Sequence, residues 1–107
     1  MGLQVQAPIT NVTSSVQVPI TAKAFARYVE IAEDGSGAAA GLKVTFPNGS
    51  VVNYTPAMQP VKLGTLDGSG PLVGTPANFG GTTSAGTQYC TIESMGATTI
   101  VRVSEWN

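Results

Sequence analysis

Leu42-Lys43-Val44-Thr45-Phe46-Pro47-Asn48-Gly49-Ser50-Val51-Val52-Asn53-Tyr54 is the stretch from which the fold is read. Leu42, Val44 and Phe46 alternate with other residues, and Val52 and Tyr54 alternate again after Pro47-Asn48-Gly49. A period of two places successive side chains on opposite faces, so both runs read as half-buried β-strands. Pro47 presets φ for the first turn position and Gly49 tolerates the left-handed region, which predicts a type I turn closed by a glycine bulge. That loop pairs Phe46 with Ser50, Val44 with Val52 and Leu42 with Tyr54. A two-residue Asn-Gly turn would set Val44 against Asn53 and mix polar with apolar on one face, which the register rule disfavours. Segment 41–55 is therefore a hairpin.

The flanking segments extend this reading. In 23–32, Phe25, Val29 and Ile31 fall on one side and Tyr28 and Glu30 on the other. Helical spacing would also pair Phe25 with Val29, but the β-branched and aromatic content and the turn Asp34-Gly35-Ser36-Gly37 favour a strand. Residues 87–94 and 99–106 are expected to close the domain as a second β pair around Met95-Gly96-Ala97-Thr98. In the last strand Val101 and Val103 share one face, and Ile100, Arg102, Ser104 and Trp106 share the other. From Pro56 the period is lost. Residues 64–87 hold seven of the thirteen glycines, two prolines and five threonines. Such a loop is unusually long for a compact domain. Its isolated apolar residues, Leu66, Leu72, Val73 and Phe79, read as anchors against another surface.

The N-terminus carries a near-repeat: Val5-Gln6-Ala7-Pro8-Ile9-Thr10 and Val16-Gln17-Val18-Pro19-Ile20-Thr21, with no charged residue before Lys23. Each proline fixes its own φ and holds its predecessor extended. Residues 1–22 are thus an extended arm or a set of edge strands, ahead of a single β domain at 23–107. The two copies either form a hairpin-like pair or dock onto similar grooves. The expected architecture is a small antiparallel β-sandwich or partly open barrel of six to eight strands, with that arm and the long glycine-rich loop.

Composition bounds function. The 107 residues contain five Lys/Arg, six Asp/Glu and no histidine, and charged residues make up 10% of the chain, against about a quarter in ordinary soluble domains. Without clustered Lys/Arg there is no footprint for nucleic acid. No run of apolar residues is long enough for a membrane span, and the N-terminus lacks the basic and apolar regions of a signal peptide. The lone cysteine, Cys90, reads as a small buried hydrophobe on a strand. With no histidine, neither a catalytic triad nor a common metal site is assembled easily, so no enzyme activity and no cofactor are expected. Asp-Gly-Ser-Gly at 34–37 and 67–70 lacks the alternating oxygen ligands of a calcium loop and reads as turn chemistry. Gly68-Ser-Gly70-Pro-Leu-Val-Gly74 has the wrong spacing and a proline where a nucleotide-binding helix would start.

Low charge, abundant Thr, Val and Gly, the absence of histidine and uncharged extended arms together give the chain a resemblance to small virion structural proteins of tailed bacteriophages. Among these it is most similar to capsid decoration (cement) proteins. The resemblance implies a protein made in the host cytoplasm that ends in the virion, where it binds an assembled shell of major capsid protein as an oligomer. Uncharged segments at 1–22 and 68–92 lead us to expect a homo-oligomer, a dimer or trimer. Its expected interface residues are Val5, Pro8 and Ile9 of the first copy and Val16, Pro19 and Ile20 of the second. Leu72 and Phe79 in the loop and Trp106 near the end complete the set. The alternative is a glycan-binding or adhesive β module of a phage tail or cell surface, with Tyr28, Tyr54, Tyr89 and Trp106 as a stacking platform.

Overall fold

The computed structural model describes residues 3–23, 28–34, 40–47, 49–64, 86 and 88–106, and of Gln4 only the backbone. Among the described residues nine strands form two antiparallel sheets: β1 (Leu3–Val5), β2 (Ile9–Val12), β3 (Val18–Thr21), β4 (Tyr28–Glu33), β5 (Leu42–Thr45), β6 (Val51–Tyr54), β7 (Val61–Gly64), β8 (Gln88–Ser94) and β9 (Thr99–Trp106). Sheet I runs β1-β9-β4-β7, with β2 continuing the β1 lane along β9, and sheet II runs β3-β8-β5-β6. The nine strands therefore fill four lanes in each sheet. The result is a sandwich; no described strand links the sheets into a closed barrel.

The pairings are nested. β5 pairs β6, β4 pairs β7, β3 pairs β8 and β2 pairs β9. The chain is one long hairpin rolled so that successive pairs fall in alternate sheets, which is the strand order of a jelly roll. The β5–β6 hairpin is the tip of that roll. Leu42 faces Tyr54 and Val44 faces Val52; the Phe46 N–H donates to the Ser50 carbonyl at 2.8 Å and the Gly49 N–H to the Phe46 carbonyl at 2.9 Å. Gly49 has φ 90, the left-handed geometry that a glycine bulge requires. Asn48 lies outside the described residues.

Alternation sorts the core. Val29 and Ile31 of β4, Leu42 and Val44 of β5, Val61 and Leu63 of β7, Ile92 of β8 and Val101 and Val103 of β9 are all fully buried between the sheets. Outward positions carry a Lys43–Glu93 pair at 3.6 Å across β5–β8 and an Arg102–Asp34 pair at 3.0 Å. Exposed pairs like these add little stability.

Two expectations are corrected and one open alternative is decided. Segments 87–94 and 99–106 do not pair with each other, since β8 lies in sheet II and β9 in sheet I. The Met95–Thr98 connection is an arch between sheets, pinned where Ser94 Oγ donates to the Ala97 carbonyl at 2.5 Å and accepts the Gly96 N–H at 3.1 Å. Gly41 (φ 92) packs beneath this arch, where a Cβ would come 3.1 Å from both Met95 Sδ and the Tyr54 carbonyl. Second, the stretch after Pro56, read as having lost its period, contains strand β7, whose Val61 and Leu63 are held inward by pairing with β4. Residues 65–85 and 87 lie outside the described residues. Third, the N-terminal copies do not pair with each other; each is an edge lane of a different sheet.

Candidate functional site

Placing the two copies on different sheets brings them face to face. The first follows β9 and the second follows β8, and a cleft of about 510 Å³ opens between them. Ile9 and Val18 supply apolar walls, and Gln6, Thr21 and Lys23 supply polar groups. Prolines suit such lanes because an edge strand does not need every donor; Pro8 and Pro19 are both exposed.

Below the polar groups lies a buried carboxylate. Glu105 is 1% exposed and belongs to the inward side of β9 with Val101 and Val103. Its Oε1 accepts Gln6 Nε2 at 2.9 Å and its Oε2 accepts the Tyr89 hydroxyl at 2.6 Å, while the Lys23 backbone N–H lies 3.3 Å from both oxygens. Gln6 Nε2 also donates to the Thr21 carbonyl at 2.9 Å. One carboxylate thus ties β9 to β8, to the link between β1 and β2, and to the end of β3. A buried charge needs such donors to offset lost hydration.

Tyr89 reaches Glu105 because of a bulge. Ile20 pairs Cys90 but Thr21 pairs Gln88, so Tyr89 is an extra residue on β8. A bulge turns neighbouring side chains toward the same side, and Tyr89 and Cys90 are both fully buried. Burial, then the hydrogen bond and negative charge of Glu105, raise the Tyr89 hydroxyl far above its ordinary range and keep it a neutral donor. Burial likewise pushes the Cys90 thiol up to about 12, which suits an inert core residue.

A second carboxylate fastens the other end of the sandwich. Glu33 accepts the Ala40 and Gly41 N–H groups at 2.8 Å each, Gln59 Nε2 at 2.7 Å and Thr99 Oγ1 at 2.8 Å. Burial alone would raise its pKa, but these four donors together bring it below the usual carboxylate value.

On the outer face of sheet I, Tyr28 and Trp106 meet with ring centroids 5.1 Å apart and planes tilted by 44°. The Tyr28 hydroxyl donates to Glu30 Oε2 at 2.5 Å; burial, then this bond and charge, push its pKa up to about 12. Tyr54 belongs to sheet II and Tyr89 to the core, so the four aromatics do not form one flat platform.

The expected interface residues separate. Val5 and Val16 are exposed, Pro8 and Pro19 are exposed at the lane edges, and Ile9 is half-buried against the core. Ile20 is 1% exposed: it faces sheet I from inside the sandwich, which corrects its place in the interface set. Trp106 is half-buried on Tyr28. Leu72 and Phe79 lie outside the described residues. Leu3 (56% exposed) and Glu105 were not anticipated. The period of β9 put Glu105 with Val101 and Val103 and was the available signal for it.

Among the described residues no three His, Cys, Asp or Glu side chains gather as a metal site, and no helix is long and apolar enough to cross a membrane. Compared with known proteins, the chain matches no family model, no curated protein and no solved structure.

Proposed function

We propose that this protein is a structural component of a phage virion, a decoration or cement protein that binds the assembled capsid shell as an oligomer. The observation that carries the reading is the uncharged flank of the sandwich. The β1–β2 lane of sheet I and the β3 lane of sheet II are edge lanes without a charged residue, and Leu3 and Val5 of β1 and Val16 ahead of β3 are exposed. Edge lanes are commonly protected by charge, and a bare flank suits permanent cover by protein. The jelly-roll strand order adds support by analogy, since that architecture recurs in viral capsid domains. Contacts repeated by shell symmetry add up even when each is weak. The test mixes purified protein with mature shells of the encoding virus that lack it. Co-sedimentation at a fixed number of copies per shell, with a raised disruption temperature, is expected; no association at saturating protein refutes the proposal.

A further inference from the structure

The backbone register of β1 points to a specific self-contact. Leu3, Gln4 and Val5 pair with Trp106, Glu105 and Ser104, and the pairing continues where the Gln6 N–H donates to the Val103 carbonyl at 2.9 Å. In an antiparallel ladder the residues that exchange bonds with a given neighbour alternate. Gln6 bonds β9, so Gln4 does too, and the N–H and C=O groups of Leu3 and Val5 point away to the open edge. No other described strand pairs there.

The other two N-terminal lanes are protected. β2 is broken by a register shift between Ile9 and Val12, with Asn11 at φ 62, and a bulged edge resists further pairing. β3 lacks a donor at Pro19. On the far side, β7 carries exposed Lys62. The exposed residues of β6 are Val51 and Asn53, beside Lys43 and Thr45 of β5. Among the described strands only β1 combines outward backbone groups, no charge and an apolar outer row of Leu3 (56% exposed), Val5 (51%) and half-buried Trp106.

We infer that β1 is the seam along which two copies of this chain pair antiparallel, about a two-fold axis midway between the two Gln4 backbones. That axis sets Leu3 of each copy opposite Val5 of the other. The outward N–H and C=O groups of both residues then exchange four backbone hydrogen bonds, and both apolar side chains meet cross-strand partners on the outer face. The contact is isologous and closes as a dimer. The occupant is a second copy because the sequence is self-complementary at this register: apolar meets apolar in both directions and nothing charged opposes it. This deepens the oligomeric part of the proposed function and requires no shell.

The test is light scattering over a concentration series, with amide hydrogen exchange on the same samples. The wild type is expected to shift from monomer to dimer, and the Leu3 and Val5 amides to exchange slowly only in the concentrated sample. Leu3→Lys/Val5→Lys places like charges opposite each other and should raise the dissociation constant about tenfold or more. Mixing that variant with Leu3→Glu/Val5→Glu should restore the dimer, and Val51→Lys on β6 should leave it intact. A wild type that stays monomeric, a dimer that survives the double lysine variant, or a dimer lost with Val51→Lys overturns the seam. If the lysine variant does not fold by circular dichroism, the wild-type amide exchange decides alone. A dimer that ignores shells sinks only the shell reading, and shell binding by a strict monomer sinks the seam and the oligomeric part of that reading while leaving shell binding itself standing.

Discussion

Replacing Glu105 by alanine tests the central tie of the sandwich. The substitution leaves three donors without their acceptor: the Tyr89 hydroxyl, Gln6 Nε2 and the Lys23 N–H. Gln6 keeps the Thr21 carbonyl and, like Lys23, lines the cleft, where water reaches it. Tyr89 is fully buried and has no such recourse. One buried unsatisfied donor costs about 1–3 kcal/mol, and removing the packed methylenes adds roughly 1 kcal/mol. The expected loss is therefore about 2–4 kcal/mol, a large share of the stability of a domain this size. Urea unfolding at neutral pH reads it directly as a lower midpoint with an unchanged slope. Tyr89→Phe completes a double-mutant cycle, in which a coupling of about 0.5–3 kcal/mol marks a direct pair. An alanine variant within about 0.5 kcal/mol of wild type, where ordinary surface substitutions fall, would refute the claim that this carboxylate ties the N-terminal lanes to the core.

Gly49→Ala and Gly41→Ala both force a side chain into positive φ, at about 1–2 kcal/mol for the left-handed region. Gly49 has open space around it whereas Gly41 meets Met95 Sδ and the Tyr54 carbonyl at 3.1 Å, so denaturation should show the Gly41 variant as clearly the weaker. Glu33 has a lowered folded-state pKa, so its contribution is present above the usual glutamate value of about 4.3 and is lost as pH falls through the lower folded value. Thermal melts from pH 7 downward should therefore show a steeper acid loss in wild type than in Glu33→Gln, and parallel curves would remove Glu33 as the cause.

The hairpin tip was legible because everything that specifies it is local: alternation on both arms and a glycine at the one position that needs positive φ. The inward sets of β4 and β9 followed from the same period. β7 was not legible because Val61-Lys62-Leu63 is too short to show a period, and its strand exists through pairing with β4. The division of β8 and β9 between sheets depends on the Ser94 arch, which looks in sequence like an ordinary hairpin turn. The burial of Tyr89 beside Cys90 was not legible because one bulge residue reverses the alternation there. Glu105 obeys the alternation, but a carboxylate enters a core only where donors meet it, and Gln6, Lys23 and Tyr89 come to it from distant parts of the chain.

Nesting also imposes an order on self-assembly of the chain. The tip pair β5–β6 closes over a few residues, whereas β1 meets its partner only when Leu3 finds Trp106, almost the whole chain away. Loop-closure entropy favours zipping from the tip outward, and such non-local pairing makes for slow folding. On the ribosome the problem sharpens, because the strands made first are the ones that dock last. At about 5–20 residues per second, the uncharged lanes of residues 3–21 wait roughly 5–20 s before β8 and β9 emerge to receive them. During that interval neighbouring nascent chains offer the same bare strands to one another. Crowded synthesis on polysomes should therefore cost this protein more in aggregated yield than slow, dilute expression.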